Sequence, residues 1–134
     1  MATTIEARQA AVTLVASTSN AAAATKRGAT DMRTCHGGLL TARITNGGTG
    51  PTDPCSLIVS VAMNDGSTPS AGAIGADWRK LYEFAATNTA SAVAEWTLDI
   101  PMCQHLQVEF SGNTAQAVTV EALMTKYLPP EVVS

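Results

Sequence analysis

Cys35-His36 and Cys103-Gln104-His105 bring together the residue types that bind zinc most readily, and as a set they offer four ligands. Neither pair has the spacer of roughly two to four residues that lets both side chains reach one ion. His105 alternates with Leu106, which places it on the polar face of its segment. Buried thiols and an exposed imidazole are therefore the expectation, with no metal. A Cys–His nucleophile also lacks an identifiable third group to orient the imidazole. Glu95, Asp99, Glu109 and Glu121 alternate with apolar residues, which makes them solvated or interface-facing rather than an acid/base pair. Gly47-Gly48-Thr49-Gly50 runs into Pro51 and Pro54 instead of a helix, so it reads as a turn and not a phosphate cradle. The chain holds no Gly-x-Ser-x-Gly elbow, Walker loop or His-Glu-x-x-His pair. No enzyme activity and no cofactor are expected.

Two binding features stand beside these absences. Lys26-Arg27 with Arg33 is a local basic patch, either a solvated arm or an arm that clamps an acidic neighbouring surface. Trp78, Tyr82 and Trp96 sit at core or sheet-face positions, and a carbohydrate-stacking platform is the functional alternative for them.

The elements that would hold these residues repeat with a period of two. Leu40, Ala42 and Ile44 alternate with Thr41, Arg43 and Thr45 and end at Asn46-Gly47-Gly48. Cys55, Leu57, Val59, Val61 and Met63 share one face, with Ser56 and Ser60 on the other. Trp78, Lys80, Tyr82 and Phe84 alternate against Arg79, Leu81 and Glu83. Further strands are predicted over 92–100, 106–110 and 117–124, and an earlier one near 11–16. β-Branched Val118, Thr119 and Val120 favour strand over helix in the last of these. Strands spaced this way predict an all-β, single-domain β-sandwich, of jelly-roll or immunoglobulin-like type, with an extended N-terminal arm. Ser17 to Thr34 contains little that could anchor a core and is expected to be a mobile arm that orders on binding. The division is residues 1–35 for an N-terminal strand and arm, 36–128 for the sandwich, and 129–134 for an extended tail.

Composition narrows the class of function. The chain has 134 residues, enough for one core, and eight Lys plus Arg against eleven Asp plus Glu. That balance argues against a nucleic-acid coat, which needs clustered positive charge. Only 14% of residues are charged, while 23 are Ala and 18 are Thr. A surface this poor in charge suits a chain covered by copies of itself or by a larger assembly. No apolar run is long enough for a membrane-spanning helix, and the first residues lack the basic-then-apolar pattern of a secretory signal. Three cysteines, Cys35, Cys55 and Cys103, leave at least one without an intrachain partner, which fits synthesis in a reducing cytoplasm.

The stretches Leu39-Leu40-Thr41-Ala42-Arg43-Ile44-Thr45-Asn46-Gly47-Gly48-Thr49-Gly50-Pro51-Thr52 and Phe110-Ser111-Gly112-Asn113-Thr114-Ala115-Gln116-Ala117-Val118-Thr119-Val120-Glu121-Ala122 carry a resemblance. From about Leu39 to Tyr127 the chain resembles small structural proteins of tailed-bacteriophage particles, of the head decoration or cement type. The resemblance implies a rigid sandwich that binds the major capsid protein of the assembled head and stabilises it, made in the host cytoplasm and carried on the outer head surface. A tail, neck or head–tail connector role, or a carbohydrate-binding module of the particle, is the alternative. Self-association as a dimer or trimer is expected. The residues marked for the partner interface are Lys26, Arg27, Arg33, Thr49 and Asp53.

Overall fold

The computed structural model describes residues 3–5, 8–64, 66–70, 72–75, 77–129 and 131–133. Within them the chain forms ten strands and no helix: β1 (Thr3–Ile5), β2 (Arg8–Asn20), β3 (Lys26–Asp31), β4 (Gly38–Asn46), β5 (Ser56–Ala62), β6 (Arg79–Ala85), β7 (Val93–Ile100), β8 (His105–Ser111), β9 (Val118–Leu128) and β10 (Glu131–Val133). Two four-stranded sheets, ordered β2-β9-β4-β7 and β3-β8-β5-β6, are antiparallel throughout.

The pairing is nested. β5 pairs with β6, β4 with β7, β3 with β8 and β2 with β9, as if one long hairpin had been rolled up. That is jelly-roll connectivity, and it decides between the two sandwich types the sequence allows. β1 and β10 add one more pair outside the sheets, with Ile5 opposite Glu131 at the same offset as Arg8 opposite Leu128.

Alternation builds the core from both sheets. Leu40, Ile44, Val120 and Ala122 meet Leu57, Val59, Leu106, Val108 and Phe110, all buried in one cluster. Burying each large side chain of this kind stabilises the fold by about 1.5–3 kcal/mol. All three cysteines are free and buried, as the sequence suggests.

Three differences from the sequence reading have physical causes. The segment from Ser17 to Thr34 is not an arm: it holds the end of β2, a turn and the whole of β3. Small residues suit it because β2 and β3 cross closely there. A Cβ on Gly28 would lie 2.0 Å from the Leu14 carbonyl oxygen.

Trp78 does not share a face with Tyr82 and Phe84. The β5–β6 pairing steps from Val59–Tyr82 to Ser60–Lys80, so Leu81 is the extra residue of a bulge that rephases the strand. Leu81 therefore packs on the core, and Trp78 is buried elsewhere.

β8 is buried on both faces. Leu106, Val108 and Phe110 face the core, while His105, expected to be exposed, and Glu109, expected to be solvated or interface-facing, are covered as well, along with Gln107. Described parts of the connection between β5 and β6 lie over His105 and Gln107. Gln107 Nε2 donates to the Gly72 carbonyl at 2.7 Å, and the Trp78 indole donates to the Ser70 carbonyl at 2.7 Å.

Candidate functional site

The two sheets present unlike outer faces. That of β3-β8-β5-β6 is roofed at the His105–Gln107 end of β8 by described parts of the 63–78 connection, whereas that of β9-β4-β7 is open. On the open face cross-strand register sets four rows: Thr119–Thr45–Val93, Glu121–Arg43–Glu95, Leu123–Thr41–Thr97 and Thr125–Leu39–Asp99. Arg43 thus stands between two carboxylates and bonds Glu95 at 2.7 Å. A shallow hollow of about 280 Å³ is lined in part by Thr41, Arg43, Glu95, Thr97, Glu121 and Leu123. With a guanidinium set between them, these carboxylates are not arranged as an acid/base pair. Away from Asp99 at the β7 edge, hydroxyls, methyls and one paired ion row form a surface that loses little hydration energy when covered.

The roofed face holds its charges differently. Arg27 Nε donates to Glu109 at 2.6 Å, directly across from it on β8, and the Glu109 carboxylate is almost wholly buried. Sequence patterning reads Glu109 as solvated or interface-facing because it cannot show that Arg27 of β3 will lie across from it. Nearby, a cavity of about 230 Å³ is lined by residues that include Thr30, Asp31, Pro69, Trp78 and His105. Arg33 donates to both Asp31 oxygens at 2.6–3.1 Å, and those hydrogen bonds hold the Asp31 carboxyl well below the usual carboxylate range.

The residues marked for the interface are not gathered into one patch. Lys26, Arg27, Thr49 and Asp53 lie toward the end of the sandwich that carries the turns 21–25, 47–55, 86–92 and 112–117. Arg33 lies at the opposite end, after β3. Lys26 is half-buried opposite Phe110. Thr49 is exposed. Asp53 accepts a hydrogen bond from Thr114 Oγ1 at 3.0 Å. Arg27 and Arg33 are both engaged by carboxylates within the chain.

The cysteine–histidine set is also divided. Cys35 and Cys103 belong to the core, His36 is exposed, and His105 is buried under the 63–78 connection. Among the described residues no group of three or more His, Cys, Asp or Glu side chains is placed to hold a metal ion. Burial pushes the Cys55 and Cys103 thiols up to about 11.

The aromatic residues are largely spent on packing. Trp78 is 2% exposed, and Trp96 stacks on Phe84, which stacks on Tyr82.

Sequence reasoning missed the polar bracket at the turn-rich end. Asn113 is fully buried; its Oδ1 accepts from Asn20 Nδ2 at 2.8 Å, and its Nδ2 donates to the Asn20, Ala21 and Gln116 carbonyls. Asn46 Nδ2 donates to the Thr87 and Thr89 carbonyls. The available signal was an asparagine at the end of β2, at the end of β4 and in the β8–β9 turn. Asn is common in turns, however, and its type does not say which loop it will tie.

No protein-family model matches the sequence, and no curated protein matches it. Solved structures do share the fold. The K3 cleaved adhesin domain of Lys-gingipain from Porphyromonas gingivalis superposes with a TM-score of 0.58 at 11% identity, over 82% of this chain and 73% of that one. Dimeric latent PorU from the same organism gives 0.55 at 10% identity, over 93% of this chain and 13% of PorU. The SPBc2 prophage-derived protein YomS gives 0.45 at 17% identity, over 88% and 93% of the two chains. For the Lys-gingipain domain and PorU the likeness is one of fold.

Proposed function

We propose that this protein is a structural component of a tailed-phage particle that docks on the assembled head and cements it. The open face of β9-β4-β7 carries the reading. It is a broad sheet surface of threonines and half-exposed leucines crossed by one row of paired charge, Glu121–Arg43–Glu95, with Asp99 at its β7 edge, in a chain with few charges overall. Such a face meets a capsid protein with modest contacts per copy, which add up over many copies. A protein that binds the assembled shell and not its dissociated subunits stabilises the shell by mass action. Catalysis has no part in this reading.

Deleting residues 1–30 is not a usable test, because it removes β2 and most of β3. Co-sedimentation with emptied tailed-phage heads is the suitable measurement, with Arg43→Glu as the variant. That change sets three carboxylates in one row while leaving the core untouched, and it should weaken binding about tenfold or more. Saturable binding by the parent and loss in the variant support docking through this face. Absence of parent binding, or equal binding by a variant with unchanged circular dichroism, refutes it. Self-assembly into rings or tubes without shell binding would transfer the role to tail or neck.

A further inference from the structure

The longest edge of the two four-stranded sheets is also the least protected. Their four outer strands are β2, β3, β6 and β7. β3 carries Lys26, Arg27 and Asp31, β6 carries Arg79, Lys80 and Glu83, and β7 carries Glu95 and Asp99. β2 spans 13 residues and, after Arg8, contains no charge, proline or glycine. Unpaired N–H and C=O groups on an edge recruit another strand, so free edges are usually blunted by charge, proline, bulges or cover.

The far half of β2 has such protection. Its pairing with β9 shifts between Thr13 and Val15 and again between Val15 and Thr18, and Gly28 of β3 presses against the Leu14 carbonyl. The near half has none. Gln9–Thr13 pairs one for one with Tyr127–Leu123. Gln9, Ala11 and Thr13 are exposed on one side, while Ala10, Val12 and Leu14 are half-buried on the other. Ala11 and Thr13 border a groove of about 420 Å³ that Leu39 and Leu123, 39% and 40% exposed, also line.

We propose that this edge is a dimer contact, in which Gln9–Thr13 pairs antiparallel with the same residues of a second copy around a two-fold axis at Ala11. The occupant follows from the strand itself. Antiparallel pairing about Ala11 sets Ala10 against Val12 of the second copy, both half-buried, and Gln9 against Thr13, both exposed. An uncharged strand meets its own copy without the like-charge repulsion that a charged edge would suffer. The contact is isologous and closes after two copies. The β2-β9-β4-β7 sheets of the two copies then become one continuous sheet. This inference does not depend on shell binding.

Sedimentation velocity over a wide concentration range, with hydrogen exchange on the same samples, tests it. A monomer–dimer equilibrium is expected, with amide protection at Gln9–Thr13 rising with dimer fraction. Ala11→Lys and Ala11→Glu each place like charges opposite one another and should raise the dimer Kd about fivefold or more. Mixing the two should restore association, a rescue that general loss of folding would not give. Thr97→Lys, on the other edge of the same sheet, should leave the dimer unchanged. A protein that stays monomeric throughout overturns the proposal. So does a dimer without protection at Gln9–Thr13, or protection there that arises only on phage shells.

Discussion

Replacing Asn113 with alanine should cost more stability than removing any exposed charge in the protein. The side chain is fully buried at the start of the β8–β9 turn and is tied to the end of β2. Alanine removes the bond from Asn20 Nδ2 at 2.8 Å and the bonds to the Gln116, Asn20 and Ala21 carbonyls at 2.9, 3.2 and 3.4 Å. The longest is weak, and Asn20 Nδ2 keeps a second acceptor in the Ala24 carbonyl at 3.1 Å. Three effective bonds at about 1 kcal/mol each give a loss of about 3 kcal/mol. For a domain of this size that is a fall of about 10 °C in Tm. Asn113→Asp tests the chemistry at constant shape: a carboxylate would replace the donor that faces three carbonyls, and the loss should exceed that of alanine. Asn20→Ala combined with Asn113→Ala should cost less than the two separately, by about 1 kcal/mol of coupling. Urea titrations of the parent and the four variants provide the values. A loss below about 1 kcal/mol for Asn113→Ala, or an Asp variant as stable as the parent, would refute the bracket as a stabilising unit.

Three further outcomes follow from the structure. Arg27→Ala leaves the buried Glu109 carboxylate without its guanidinium and should destabilise the fold by about 2–3 kcal/mol; adding Glu109→Gln should recover part of that, as read by the urea midpoint. Arg43→Ala, by contrast, breaks an ion pair whose two side chains are both more than half exposed, and should change stability by less than about 1 kcal/mol. Stability should also decline in alkali. Cys55 and Cys103 ionise near 9 when unfolded and near 11 when folded, so the folded state holds more protons between those values and loses stability as pH rises through them. Urea midpoints from pH 8 to about 11 should show this slope, and the Cys55→Ala/Cys103→Ala protein should show a shallower one.

Some of this structure was legible residue by residue. Alternation with a period of two depends only on the chain's own pleat, so the strands at 40–45, 56–62, 93–100 and 118–124 were readable with their core faces. Buried thiols and the turns at Gly47-Gly48 and Gly112-Asn113 follow from equally local preferences.

What the sequence left open lies in pairing between distant residues. Nothing local to Arg43 says that Glu95 and Glu121 will flank it, because that row depends on the registers of β4 with both β7 and β9. Ser17 to Thr34 looked too small to fold, yet small residues are what the close crossing of β2 and β3 at Gly28 requires. His105 alternates like a solvent-facing residue, and the 63–78 connection, tied down at Gln107 and Trp78, covers it; Glu109 does too, and it lies buried where Arg27 of the neighbouring β3 reaches it. Where no bulge interrupts it, side-chain direction is a property of one strand, and there the sequence determined it. Neighbours across a sheet, and the loop that covers a face, are set where segments far apart in the chain meet, and tertiary structure alone decided those.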